Sequence, residues 1–192
     1  MSSAATRDAA ATGRDEAAAP AAVTIQALRE AFAQLPAAVT VVTTLTPDGP
    51  AGMTASAVSS LSLDPPLLLV CAANTSGTLA RLRAHGRFAV NTLPAGHRRL
   101  AHTFANPEPY PGHRFTCAPY RIVDAVPVLS DALTVFTCAV EQTHPGGDHT
   151  IVVGRITAVS HHAGQPLLWH ARSYRRLAPA AGDHLSDQPR RS

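Results

Sequence analysis

The chain contains no lysine, and all 16 of its basic residues are arginine. Arginine keeps its charge at every physiological pH and presents a planar fork of donors suited to carboxylate and phosphate. Charge is sparse altogether. Only 15% of the 192 residues are charged, against about 25% in an average soluble domain. A surface with so little charge is expected to be covered in part by another subunit. Residues 24–178 carry 12 arginines against 8 acids. That excess is too mild for a nucleic-acid footprint, and no arginine stripe is interleaved with aromatics. It suits small anionic ligands. Cysteine is scarce and odd in number: Cys71, Cys117 and Cys138 form no C-x-x-C pair, which argues against a disulfide framework and a zinc knuckle. All three lie in or beside apolar runs and read as small buried hydrophobes. No run approaches the roughly 18–20 apolar residues of a membrane span, and no basic segment followed by an apolar stretch opens the chain. These absences predict a soluble, cytoplasmic protein with neither membrane nor nucleic-acid partner and no metal site.

What is present predicts one domain. Residues 1–23 are alanine-rich without an apolar stripe and read as a disordered arm; residues 179–192 read as a disordered tail. Thr24 caps a helix with Ile25, Leu28, Phe32 and Leu35 at helical spacing, stopped by Pro36. Residues 39–44 are β-branched throughout. Pro47-Asp48-Gly49-Pro50 reads as a turn, and residues 51–63 as one long returning strand. Strands are expected at 67–71 and 88–91, with a helix at 74–85 ended by Gly86 and a short helix at 96–104. Residues 105–127 read as an irregular excursion. Two long strands, 132–143 and 150–160, flank a loop at 144–149, and short segments at 167–170 and 174–177 close the fold. Hairpin-compatible links between about seven strands predict a mainly β protein, an antiparallel barrel with a few peripheral helices. Strand–helix alternation and G-x-G-x-x-G are absent, so a dinucleotide would not be held in the Rossmann manner.

Three constellations carry potential chemistry. Residues 52–66 are rich in small hydroxyl side chains, so a flat polar ring could lie against the backbone; the alternative is an edge strand with a polar face. Asn74, Ser76 and Thr78 open a helix directly after a buried strand, where free N–H groups and hydroxyls make an anion site; the alternative is ordinary capping. A mononucleotide needs a ring site beside a phosphate site. Finally, Asp148-His149 enters a strand, where a histidine can donate a hydrogen bond or titrate near neutrality; an ordinary turn is the alternative.

The order of these pieces resembles the flavin reductase family of the FMN-binding split barrel. That family includes the reductase components of two-component flavin-dependent monooxygenases. The matching segments are Val39-Thr40-Val41-Val42-Thr43-Thr44, Gly52-Met53-Thr54-Ala55-Ser56 with Ser62-Leu63-Asp64-Pro65-Pro66, Gly86-Arg87-Phe88-Ala89-Val90-Asn91, Gly147-Asp148-His149-Thr150, and Pro166-Leu167-Leu168-Trp169-His170 leading to Tyr174. The resemblance implies an antiparallel split β-barrel and a homodimer with flavin near the subunit interface. FMN or FAD would be the flavin, and NADH or NADPH the donor. Met53, Thr54, Ala55, Ser56, Ala57, Val58 and Ser59 would line the isoalloxazine ring. Asn74, Ser76 and Thr78 would face the phosphate, with Tyr174 also at the cofactor. His149, with Asp148, would face the flavin and contact the nicotinamide. The chain departs from the family pattern at Pro36-Ala37-Ala38, where a Thr-Gly pair is usual, at Ala57, where serine is common, and at His113-Arg114-Phe115, where the family has Asp-basic-Phe.

The expected activity is NAD(P)H:flavin oxidoreduction, with hydride passing from nicotinamide C4 to flavin N5 and reduced flavin supplied to a separate monooxygenase. His149 is expected to orient the nicotinamide rather than act as a base, since hydride transfer needs none. A flavin store or sensor is the competing class. An oxidase of the pyridoxamine-phosphate type would want a cationic cluster that the sequence does not show. A metal complex or corrinoid could replace diffusing flavin as acceptor.

Overall fold

The computed structural model describes residues 23–106 and 112–178. The expected tail and all but Val23 of the expected arm lie outside them. The elements are α1 (Ile25–Ala33), β1 (Ala37–Ala38), β2 (Thr40–Thr46), β3 (Gly49–Ala55), β4 (Val58–Leu63), β5 (Pro66–Ala73), α2 (Gly77–His85), β6 (Arg87–Thr92), α3 (Arg98–Ala105), a 3-10 turn (His113–Cys117), β7 (Tyr120–Val123), β8 (Val126–Leu129), β9 (Thr134–Gly146), β10 (His149–His161), β11 (Leu168–His170) and β12 (Ser173–Arg175). None of the described helices is long and apolar enough to cross a membrane.

A seven-stranded antiparallel sheet runs in the order β3-β2-β6-β9-β10-β5-β4. Its edge strands, β3 and β4, are consecutive in the chain and separated by Ser56 and Ala57 alone. Flat, a seven-stranded sheet would hold its edges about 29 Å apart at roughly 4.8 Å per strand. Three Cα steps reach at most about 11 Å. The sheet therefore curls until its two edges meet at residues 55–58. There Cys71 N donates to Ala57 O at 2.9 Å and Thr40 Oγ1 donates to Ala55 O at 2.7 Å. Among the described residues no ladder joins β3 to β4, so the barrel stays split.

The link at 56–57 corrects the expectation of one returning strand over 51–63. The first half pairs with β2 and the second with β5, at opposite edges. Within the 105–127 excursion, the described residues 112–127 hold the 3-10 turn, β7 and the start of β8, which pairs with β7 in a hairpin. The 144–149 loop is in fact two strand ends joined by a tight turn at Gly147-Asp148. Gly147 takes φ +72° at the first central position, the left-handed value a two-residue hairpin turn of this kind requires.

Residues 39–44 are buried throughout because β2 is covered on both faces. Val41 joins one core cluster with Phe104, Phe115 and Val126, while Val42 joins another with Leu79, Phe88 and Val152. The hydroxyls within this strand are satisfied: Thr43 donates to Pro127 O, and Thr44 to Arg87 O. Cys138 is buried, and burial pushes its thiol up to about 12. Cys71 is only half-buried and Cys117 is exposed, contrary to expectation. Helix α1 forms where Thr24 caps it, but Ile25, Phe32 and the following Leu35 stay exposed, since nothing in the described chain packs over them.

Gly154 shows how tightly the sheet closes on its interior. A Cβ there would overlap the tip of the Phe88 ring and sit 3.1 Å from Cys138 Cβ. Gly154→Ala is expected to cost about 1–3 kcal/mol by overpacking. A fall in the urea midpoint with an unchanged slope would show it.

Candidate active site

Where the sheet edges meet, β3, β5, α2 and α3 enclose a cleft of about 750 Å³. That size is typical of small-molecule sites, which run to roughly 300–1,000 Å³. Met53, Thr54, Ala55, Ser56 and Ala57 form one wall, and small side chains there leave the backbone within reach of a ligand. Phe104, Ala105 and Asn106 at the end of α3, and Arg114, also line the cleft. Thr75, Ser76, Gly77 and Thr78 bring the N-terminus of α2 to the cleft, with Arg81 one turn further along and His149 nearby. The described lining includes two arginines, Arg81 and Arg114.

Each group is held by specific contacts. Ser76 caps α2, accepting from Leu79 N at 3.4 Å while its hydroxyl points to Met53 Sδ at 3.1 Å. Thr78 donates to Gly52 O at 3.1 Å. That carbonyl also accepts from Arg114, whose other Nη donates to Asn106 O. Arg114 is thus buried with both arms on main-chain carbonyls. His149 Nδ1 lies 2.7 Å from Asp148 Oδ1. A carboxylate can only accept, so the ring donates from Nδ1, which leaves Nε2 of the neutral ring as an acceptor. The hydrogen bond from His149, and the ring's charge when it is protonated, hold the Asp148 carboxyl below its ordinary value.

The structure brings together Met53, Thr54, Ala55, Ser56, Ala57, Ser76, Thr78 and His149, all expected from the sequence. It does not bring in the rest. Val58 and Ser59 line a separate cavity of about 170 Å³ with Thr40 and Phe136, because the chain has crossed to the other edge. Residues 53–57 thus line the cleft, while β4 after them is a largely exposed edge strand. Asn74 and Asp148 sit at the β9–β10 turn rather than on the cleft wall. Tyr174 lines a small adjoining cavity of about 160 Å³ that shares Thr54, Ser56 and Ala105 with the cleft. Its ring packs edge-to-face on Trp169 at 5.0 Å, and the Arg98 guanidinium lies 5.7 Å from its centre. Burial raises the Tyr174 hydroxyl above its usual range, and Arg98 offsets part of that.

Arg81, Phe104, Asn106 and Arg114 were missed as site residues. Arg81 is four positions after Gly77, so helical spacing puts it on the face that meets the cleft. For Arg114 the signal was the His113-Arg114-Phe115 element itself.

Comparison with known proteins accords with this geometry. The flavin reductase like domain model matches residues 32–178. A protein of Rhizobium meliloti (strain 1021) named a probable flavin reductase is 41% identical over 69% of this chain, which spans 42% of that relative's length. FMN reductase (NADH) RutF 2 of Methylorubrum extorquens (strain PA1) is 39% identical, over 82% of this chain and 92% of its own length. Among solved structures, nitrilotriacetate monooxygenase component B from Mycobacterium thermoresistibile superposes with a TM-score of 0.78 at 30% identity, covering 82% of this chain and 89% of its own. The NADH:FAD oxidoreductase SgcE6 of Streptomyces globisporus C-1027, in complex with NAD and FAD fragments, gives 0.76 at 33% identity, covering 81% and 94%. A split antiparallel sheet, a cationic cleft at its seam and a family match spanning almost the whole described chain agree, and the chain belongs to the flavin reductase-like domain family.

Proposed function

We propose that the protein is an NAD(P)H-dependent flavin reductase whose cleft takes FMN, or the FMN half of FAD. The observation that carries this reading is the cleft, which joins a wall of mostly small residues to a helix N-terminus and two arginines. The residues fit the group. The N–H groups and hydroxyls of Thr75, Ser76 and Thr78, together with Arg81, would hold a phosphate. The wall from Met53 to Ala57 would take the ring. When both are bound, flavin supplies the hydride acceptor and the nicotinamide the donor. The work of this chain is to position them and to stabilise negative charge. The fixed positive charge of Arg81 and Arg114 favours an anionic reduced product. His149, held at Nδ1 by Asp148, presents Nε2 to the nicotinamide side. It orients and is not required to move a proton.

The homodimer belongs to the same proposal. The exposed apolar face of α1 borders a second cleft with Ala37, Ser56, Ala57 and Trp169. Ser56 and Ala57 are common to both clefts, so a second copy packed there would complete the flavin site. A separate monooxygenase receives the reduced flavin, a reading supported by the nitrilotriacetate monooxygenase component B structure.

Steady-state loss of nicotinamide absorbance, measured with FMN or FAD against NADH or NADPH, tests this directly. Turnover beyond one equivalent of protein is expected in at least one pairing, which a store or sensor would not give. No oxidation in any pairing overturns the enzyme reading. His149→Ala is expected to raise the KM for NAD(P)H about tenfold; unchanged KM and turnover would remove His149 from the site.

A further inference from the structure

The β9–β10 turn that carries His149 is tied to the start of α2 through one side chain, that of Asn74. The Asn74 backbone N donates to Asp148 O at 2.9 Å, and its Nδ2 donates to Gly147 O at 3.0 Å. Its Oδ1 accepts from Thr150 Oγ1 at 2.7 Å. That hydroxyl is in turn approached by Arg83 Nη2, on α2, at 3.1 Å. Thr150 is 4% exposed, directly after His149 in β10, where the register sets His149 opposite Ala73 and Thr150 opposite Ala72. Both carbonyls of the turn, at Gly147 and Asp148, are therefore bound by the same residue. Asn74 is not among the residues that line the cleft.

We infer that Asn74 is a positioning residue for His149, acting with Thr150 and Arg83, rather than a phosphate ligand. This deepens the reductase reading and rests on it for its kinetic consequence. A two-residue turn at the end of a long ribbon has few contacts of its own. Here its peptide groups are pinned to β5 and, through Thr150 and Arg83, to the helix whose other end faces the cleft. The orientation of the imidazole is fixed from below by this bridge and laterally by Asp148. Asn74→Ala removes the side-chain donor and acceptor at once. Thr150→Val cuts only the link to Arg83 and to Oδ1. Thr150→Ser keeps the hydroxyl.

The experiment uses the full-length protein and its Asn74→Ala, Thr150→Val and Thr150→Ser variants, with three readouts. Amide hydrogen exchange in residues 144–150, without ligand, is expected to quicken about tenfold in Asn74→Ala. It should quicken less in Thr150→Val and stay unchanged in Thr150→Ser. The KM for NAD(P)H is expected to rise about fivefold in Asn74→Ala with kcat less affected, and Thr150→Ser should behave as the parent. The ratio of FMN to riboflavin affinity, read from flavin fluorescence, is expected to stay constant, since the phosphate contact is intact. A fall in that ratio in Asn74→Ala would make Asn74 a phosphate ligand and overturn the inference. Unchanged exchange, or faster exchange with an unchanged KM, would overturn it as well. Absence of any NAD(P)H oxidation by the parent protein would instead overturn the reductase reading, and the exchange readout would still decide the structural link.

Discussion

Arg114→Ala is expected to weaken FMN binding at least about tenfold and to lower unfolding free energy by about 2–4 kcal/mol. Arg114 is 9% exposed, and its guanidinium reaches two carbonyls, Gly52 O on β3 and Asn106 O after α3. It thereby ties β3 to the end of α3 beside the cleft. Removal leaves the Asn106 carbonyl without this donor, although Gly52 O keeps the hydroxyl of Thr78. It also removes one of the two arginines facing the site. Arg114→Lys keeps the charge but not the fork, so it cannot bridge both carbonyls. Lysine should therefore recover part of the flavin affinity and less of the stability. Isothermal titration with FMN, beside urea denaturation of the free protein, separates the two effects. Equal affinity in parent and alanine variant would exclude Arg114 from the site.

Asn91→Ala is expected to cost about 3–5 kcal/mol, the largest loss of stability at any single polar side chain considered. Asn91 is 0% exposed. Its Nδ2 donates to Val41 O at 2.9 Å and to Thr43 Oγ1 at 3.1 Å, and its Oδ1 accepts from Leu129 N at 2.9 Å. One amide thus joins β6 to β2 and to the end of β8. Alanine would leave the Leu129 N–H buried without an acceptor and open a cavity beside it. Asn91→Leu would fill the space but orphan the same groups, so it should do little better. The check is a lower urea midpoint with the slope preserved. Flavin affinity of the folded variant should stay near that of the parent, since Asn91 does not line the cleft. A midpoint within the error of the parent's would show that the network carries no net stability.

The contrast between these arginine and asparagine sites reflects what could be read before folding. Asn91 lies in a segment, Arg87–Thr92, recognisable as a strand from its β-branched and aromatic content. Its buried amide network could not be read there, because its partners lie 50, 48 and 38 residues away. The helix N-terminus at Ser76 was legible, since a hydroxyl residue followed by helical periodicity has a local cause. Its use beside Met53 was not, because 23 residues separate them. Residues 53–57 were legible as a stretch of mostly small side chains, and that stretch lines the cleft. The loss of Val58 and Ser59 from that wall was not, because it depends on where the chain crosses between sheet edges.

The sequence by itself determined the local grammar of this protein. It set the β-branched strands and the turn at Pro47-Asp48. It also set the left-handed stop at Gly86, the run of mostly small residues at 53–57, and the overall scarcity of charge. Each follows from propensities acting over a few residues. The tertiary structure decided what those pieces do together. It curled the sheet so that β3 and β4 meet, put Arg81 and Arg114 on one cleft, and turned Asn74 from a cap-like residue into the anchor of the His149 turn. Those outcomes depend on strand order and register. The order is set by satisfying buried main-chain and side-chain groups across the whole sheet at once, and no short window of sequence contains both partners.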